Sequence, residues 1–257
     1  LTPDLHISVL QWDLLWEDPQ ANHAYIEDHF LHNSEVKTDL VILPEMFSTG
    51  FTKDFTEKGP YPSLEWMRSF VNKTDTTVFG SVAVSEQEHA FNRGLWVKPD
   101  GSFDVYNKKH LFKYAQEHQT FSAGHSLLTT EVKGWRVRPL ICYDLRFPVW
   151  ARNTKPFYDI LIYVASWPEV RREAWISLLK ARAIENQCYV IGVNRTGKDG
   201  YGISYAGDTL VFDYKGDTLL NAGNTTGRFD LSLSYLELQE FRAKFPFLED
   251  ADSWTWV

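Results

Sequence analysis

Two cysteines occur in contrasting settings. Cys142 ends the run Arg136-Val-Arg-Pro-Leu-Ile-Cys142 and is followed by Tyr143-Asp144-Leu-Arg146-Phe-Pro148. A polar pair after a strand-like run, with a proline close behind, predicts a sharp strand-to-helix turn. That turn would present the thiol at the carboxyl end of a strand, where open α/β sheets place ligands. A thiol so placed can attack an electrophilic carbon, and the backbone N–H of Tyr143 is available to a developing oxyanion. An isolated cysteine is also commonly a buried structural thiol, so Cys142 alone fits both readings. Cys188 opens Cys-Tyr-Val-Ile-Gly-Val with no turn or charge directly after it, and reads as core.

A thiol nucleophile needs a base, because near neutral pH it is mostly protonated. Among the histidines, only His110 and His118 sit in a polar, turn-like segment, and no papain-type Cys-Gly-Ser-Cys-Trp signature occurs. A carboxylate is the alternative. Asp39-Leu-Val-Ile-Leu-Pro-Glu45 puts Glu45 directly after an apolar run and a strand-stopping proline, the position that Cys142 occupies on its own run. A desolvated carboxylate there suits proton transfer, and a solvated loop charge is the plainer reading. A basic pair completes the set in Tyr106-Asn-Lys108-Lys109-His110-Leu-Phe112, after the hairpin signal Pro99-Asp100-Gly101. Paired lysines usually lie on the surface. Strand alternation would nevertheless send Lys108 to the face of Tyr106 and His110 and Lys109 to the other, so only one can enter a site.

The elements that must position these groups alternate in type. Strand-like runs are His6–Gln11, Asp39–Leu43, Thr77–Val84, Leu95–Lys98, Arg136–Cys142, Ile160–Val164, Cys188–Asn194 and Thr209–Tyr214. Helical patterns cover Pro19–Asn33, Ser63–Asn72, Arg172–Asn186 and Tyr235–Lys244. Such alternation predicts an α/β fold. In Arg172–Asn186, Trp175, Leu178, Leu179 and Arg182 share one face, so Arg182 faces inward and calls for a partner such as Glu185 more than for a substrate. With no linker, repeat or low-complexity tract, one domain over residues 1–257 is the economical expectation.

Composition narrows the partners. With 26 basic against 34 acidic residues, the net charge of −8 opposes attraction to nucleic acid or anionic membranes. No apolar run approaches the roughly 18 residues of a membrane span, and no secretory leader is evident, so a cytoplasmic protein is expected. The Gly-rich stretches 197–202 and 221–227 lack the spacing of a dinucleotide fingerprint.

Taken together, Leu43-Pro-Glu45-Met-Phe, Tyr106-Asn-Lys108-Lys-His-Leu-Phe and Ile141-Cys142-Tyr-Asp-Leu-Arg146 resemble, in that order, the nitrilase superfamily of carbon–nitrogen hydrolases. Phe91-Asn-Arg, Arg182-Ala-Ile-Glu-Asn186 and Gly207-Asp208 extend the resemblance over almost the whole chain. It implies a four-layer α-β-β-α sandwich and a Glu45, Lys108, Cys142 triad, with Lys109 at the variable position. Glu117 matches the second carboxylate that orients such a triad. Lys108 and the Tyr143 N–H would hold the oxyanion, and neither metal nor organic cofactor is implied.

Within the superfamily, Cys142-Tyr-Asp-Leu-Arg-Phe-Pro-Val-Trp and Val164-Ala-Ser-Trp167-Pro are most similar to bacterial ω-amidases, which hydrolyse 2-oxoglutaramate and 2-oxosuccinamate. This implies a small-molecule amide substrate contacted by Arg146, Phe47 and Trp167. Arg146 lies four residues past the nucleophile, within reach of a substrate carboxylate, or it pairs with Asp144. The resemblance also implies a homodimer, to which Phe147, Pro148, Val149, Trp150 and the tail Trp254–Val257 could contribute. The rivals are another amidase or carbamoylase on this fold, or a non-catalytic binding protein that retains it.

Overall fold

Period-two alternation along one set of strands sorts their side chains into two cores. Ile7, Val9, Leu40, Ile42, Phe79 and Trp96 join a core shared with a second sheet. Their neighbours Leu10, Val41, Leu43, Val78, Leu95 and Val97 join another, with Ile26, Phe30, Leu64, Met67 and Phe70 of the helices Pro19–Leu31 and Pro62–Thr74. Strands covered on both faces explain the continuous apolar runs of the sequence. This arrangement is seen in a computed structural model of the chain, which describes residues 2–31, 37–59 and 61–252.

The first sheet has the order Gly227–Leu233, Leu5–Gln11, Leu40–Ile42, Thr77–Glu86, His89–Val97, Phe103–Asn107, with Glu57–Lys58 also paired to Thr77–Glu86. The second has the order Thr218–Asn221, Leu210–Phe212, Tyr189–Val193, Ile160–Val164, Trp135–Ile141, Thr130–Val132. A separate ribbon pairs Thr196–Lys198 with Ser204–Ala206. The central strands of each sheet are parallel, so within a sheet their carboxyl ends point the same way. On the second sheet the helix Arg172–Asn186 buries Trp175, Leu179, Arg182 and Ala183. Gly192 permits its close approach: a Cβ there would lie 2.4 Å from Leu179 Cδ1. The fold is the four-layer α-β-β-α sandwich that the resemblance implied.

Ile160–Val164, Arg172–Asn186 and Tyr235–Lys244 form with the expected bounds. The first helix reaches Leu31, and its expected end at Asn33 lies outside the described residues. The Pro99-Asp100-Gly101 turn joins two antiparallel strands as expected, Lys98 N–H donating to Ser102 O at 2.9 Å. Sequence patterning missed Thr130–Val132, Thr218–Asn221 and Gly227–Leu233. The last alternates polar residues on a half-exposed edge, and its pairing to Leu5–Gln11 spans almost the whole chain. One expectation is corrected: the strand through Tyr106 stops at Asn107, so strand alternation does not orient Lys108 and His110.

Arg182 turns inward, donating to Glu185 Oε1 at 2.8 Å and to the Leu145 carbonyl at 2.8 Å. This ties the helix to the turn that follows Cys142. Phe147 and Trp150 pack within the subunit, Phe147 on the His110 ring and Trp150 donating its indole N–H to Tyr106 Oη, while Pro148 and Val149 stay exposed. The tail Trp254–Val257 lies outside the described residues. No helix among the described residues is long and apolar enough to cross a membrane.

Candidate active site

Cys142 leaves the strand Trp135–Ile141 with φ of +44°, a left-handed conformation costly for a residue with a side chain. The chain then winds through a tight 3-10 turn, Cys142–Arg146, into the short helix Pro148–Ala151. Asp144 fixes this turn from below. Its buried carboxylate accepts from Ile141 N–H at 3.1 Å, Tyr106 Oη–H at 2.7 Å, and both the His110 N–H (3.0 Å) and ring Nδ1 (2.8 Å). His110 is thus committed to Asp144, and His118 is exposed.

Glu45 stands just past Leu40–Ile42, where Leu43 still bonds the neighbouring strand and Met46 turns the chain back with φ of +49°. Lys108 follows Phe103–Asn107, its N–H bonded to Asn92 O and its carbonyl to Gly124 N–H, each at 2.9 Å. Gly124 is required there, since a Cβ would fall 2.0 Å from Asn107 O. These first-sheet groups meet Cys142 and Ser166 from strand ends of the second sheet, so the site lies on the seam between the two.

Glu45, Lys108, Glu117 and Cys142 come together, all buried. Lys108 Nζ lies 2.8 Å from Glu45 Oε1 and 2.9 and 3.0 Å from the two Glu117 oxygens. Glu45 Oε2 accepts the Ser166 N–H at 2.8 Å. Asn92 Nδ2 bridges Glu45 Oε1 at 2.8 Å and Glu117 Oε1 at 3.2 Å, and Phe112 N–H donates to Glu117 Oε2. Asn92 and Ser166 were not singled out from the sequence, although both lie in segments that matched the family pattern.

Burial raises the Cys142 thiol well above its ordinary range; Glu45 adds to this, and Lys108 only partly opposes it. The resting group is the neutral thiol, which lies beside Glu45 with its Sγ 4.0 Å from the Ser166 carbonyl oxygen. Burial works against the Lys108 charge, but Glu117 and Glu45 outweigh it and hold the ammonium above its usual range. Burial raises Glu117, with Lys108 in opposition. Cys188, the internal control, is fully buried, and that burial pushes its thiol up to about 12. The cluster therefore holds a protonated nucleophile, a carboxylate acceptor and a fixed positive charge, the requirements for proton transfer coupled to attack on a carbonyl.

Cys142 and Lys108 open into a pocket of about 470 Å³, its mouth included. Phe51, Phe112 and Trp167 form apolar walls, and Ile203 and Tyr205 of the ribbon close another side. Tyr143 and Arg146 also line it. Arg146 does not pair with Asp144, whose oxygens are taken by other donors; its guanidinium lies 5.0 Å from the Trp167 ring centroid. Phe47 corrects the expectation of a substrate contact. After the turn at Met46 it points into the outer core, fully buried beside His23, Trp66 and Gly80. Phe51 takes the wall instead, its ring centroid 5.4 Å from Lys108 Nζ.

The family model described as carbon–nitrogen hydrolase matches residues 6–243. The chain is 42% identical over 255 residues to the omega-amidase YafV of Escherichia coli (strain K12), covering 97% of this chain and 98% of that one. It is 33% identical over 251 residues to the 2-oxoglutaramate amidase of Bacillus subtilis (strain 168), covering 95% and 96%. A crystal structure of a CN-hydrolase superfamily protein from Xanthomonas campestris, with an arsenic adduct in its active site, superposes with a TM-score of 0.95. That match has 39% identity and 99% coverage of both chains.

Proposed function

Since the chain belongs to the carbon–nitrogen hydrolase family, we propose that it is an ω-amidase, releasing ammonia from the terminal carboxamide of small dicarboxylate monoamides such as 2-oxoglutaramate and 2-oxosuccinamate. The observation that carries the reading is one shared pocket: the thiol of Cys142 and the guanidinium of Arg146 both face it. A monoamide of a dicarboxylic acid offers the matching pair, an electrophilic amide carbon at one end and a carboxylate at the other.

In this mechanism Glu45 takes the thiol proton as sulfur attacks the amide carbon. The C=O electrons move to oxygen, and Lys108 with the Tyr143 N–H stabilise the tetrahedral oxyanion. Glu45 returns the proton to nitrogen as the C–N bond breaks, ammonia leaves, and a thioester remains on Cys142. Water, deprotonated by Glu45, adds to the thioester; the C–S bond breaks and sulfur recovers its proton, giving the free acid. Glu117 and Asn92 fix Glu45 and Lys108 in place, and Trp167 forms a wall for the acyl chain. The same reading places the enzyme in the cytoplasm, where a nucleophilic thiol stays reduced, and makes it a homodimer joined partly through the exposed Pro148–Val149 turn.

The test compares ammonia release from 2-oxoglutaramate, 2-oxosuccinamate, a neutral amide of similar length, an N-carbamoyl amino acid and a nitrile. Preference of at least tenfold in kcat/KM for the oxo-acid amides is expected, with a trapped acyl-enzyme mass on Cys142. Equal turnover of the neutral amide would overturn the carboxylate assignment, and preference for the carbamoyl substrate would make the protein a carbamoylase. Analytical ultracentrifugation checks the dimer.

A further inference from the structure

Arg171 and Arg172 are adjacent in sequence and opposite in circumstance. Arg172 makes two bonds to Asp208, at 2.5 and 2.8 Å. Arg171 turns to the pocket that holds Cys142 and Arg146, and no carboxylate among the described residues pairs with it. Its neighbours Glu169 and Glu173 are exposed and make no ion pair with it. A guanidinium beside a catalytic pocket, held in place but left without an anion, retains its donors for a ligand.

Its placement is fixed from two sides. The guanidinium carbon lies 5.0 Å from the Phe112 ring centroid, and that residue donates its backbone N–H to Glu117. The Arg171 carbonyl accepts the Trp167 indole N–H at 2.8 Å, and the Trp167 ring in turn carries the Arg146 guanidinium. One tryptophan therefore anchors the backbone of one arginine and supports the side chain of the other. In a chain of net charge −8, two cations without acidic partners at one pocket form a local positive field that draws in an anion.

Resting on the ω-amidase reading, we propose that Arg171 is a second specificity-determining residue, joining Arg146 in a two-arginine subsite for the 2-oxo-acid end of the substrate. Two guanidinium forks supply more donors than one carboxylate can accept in a single plane, and the adjacent 2-oxo oxygen takes the surplus. The subsite thus selects a 2-oxo acid over a simple carboxylic acid.

The experiment measures kcat and KM for Arg171→Ala, Arg171→Lys and Arg172→Ala on 2-oxoglutaramate, on glutaramate, which lacks the oxo group, and on a neutral amide of equal length. For Arg171→Ala, the kcat/KM ratio of 2-oxoglutaramate to neutral amide should fall at least tenfold, chiefly through KM. The preference for 2-oxoglutaramate over glutaramate should shrink at least threefold, and Arg171→Lys should recover part of both. Arg172→Ala should keep the wild-type ratios. Equal losses on all three substrates, or unchanged ratios, would overturn the proposal. Wild-type enzyme with no preference for carboxylate-bearing amides would instead overturn the ω-amidase reading itself, before any variant is compared.

Discussion

Glu117 closes on Lys108 with both carboxylate oxygens, 2.9 and 3.0 Å from Nζ, while Glu45 reaches the same ammonium with one. The bidentate partner is the one farther along the chain from the nucleophile's own acceptor, which leaves Glu45 Oε2 turned to Ser166 on the second sheet. Glu117 therefore supplies Lys108 with a counter-charge of its own, and in the proposed mechanism this lets Glu45 serve in proton transfer without stranding a buried cation.

Replacing Glu117 by Gln removes that counter-charge while keeping the shape. The expected result is a fall in kcat of about 10²- to 10³-fold with KM changed only a few-fold, since the defect lies in the transition state. Steady-state kinetics with circular dichroism checks it; wild-type kcat would show that Glu45 alone suffices for Lys108.

Because burial raises the Cys142 thiol, the resting nucleophile should react slowly with iodoacetamide at neutral pH. Its rate should climb about tenfold per pH unit between pH 6 and 8 without a plateau. Mass spectrometry of the alkylated peptide reads the site. A pH-independent rate in the acid range would mean a standing thiolate and a different division of labour with Glu45.

Arg182 joins Glu185 to the Leu145 carbonyl beneath the nucleophile turn. Truncation by Arg182→Ala should cost about 3 kcal/mol of stability, because it leaves a buried carbonyl unsatisfied and a cavity beside it. Urea denaturation measures this directly. A loss below about 0.5 kcal/mol would show that water replaces the guanidinium at no cost.

Burial lowers the His23 imidazole from 6.5 to about 4, against the pull of Glu27. The ring stacks on Trp66 at 4.3 Å and stays neutral in the fold. The folded value lies below the unfolded one, so between these limits the unfolded chain binds the extra proton. This contribution to stability is complete above about pH 6.5 and is lost as pH falls toward 4, at most about 3 kcal/mol in all. Urea midpoints for the parent chain and His23→Gln at pH 7 and 4.5 should diverge less at the lower pH. Parallel profiles would refute the assignment.

The local chemistry was legible in the sequence. The end of an apolar run followed by a turn signal marked Cys142 and Glu45 as candidates, which the ordered family pattern then favoured, and helical periodicity turned Arg182 inward toward Glu185, because these are short-range consequences of strand and helix geometry. The register of Tyr106-x-Lys108 with the family pattern chose Lys108 over Lys109. Strand alternation had separated the two lysines onto opposite faces for a reason that does not hold, since the strand ends at Asn107. Phe47, two residues past Glu45, was placed on the substrate, but the positive φ at Met46 turns it into the outer core, and no propensity announces such a turn.

What only the tertiary structure decided is which distant groups share the seam between the sheets. Asn92, Ser166, Phe51 and Arg171 lie in separate segments, and each reaches the site because strand ends of two different sheets converge there. Whether a charge is free is likewise a matter of partners from elsewhere in the chain: Asp208 takes Arg172 and leaves Arg171, and Tyr106 and His110 take Asp144 and leave Arg146. Residue type and spacing determine the available chemistry, whereas long-range pairing decides which of those groups remains for the substrate.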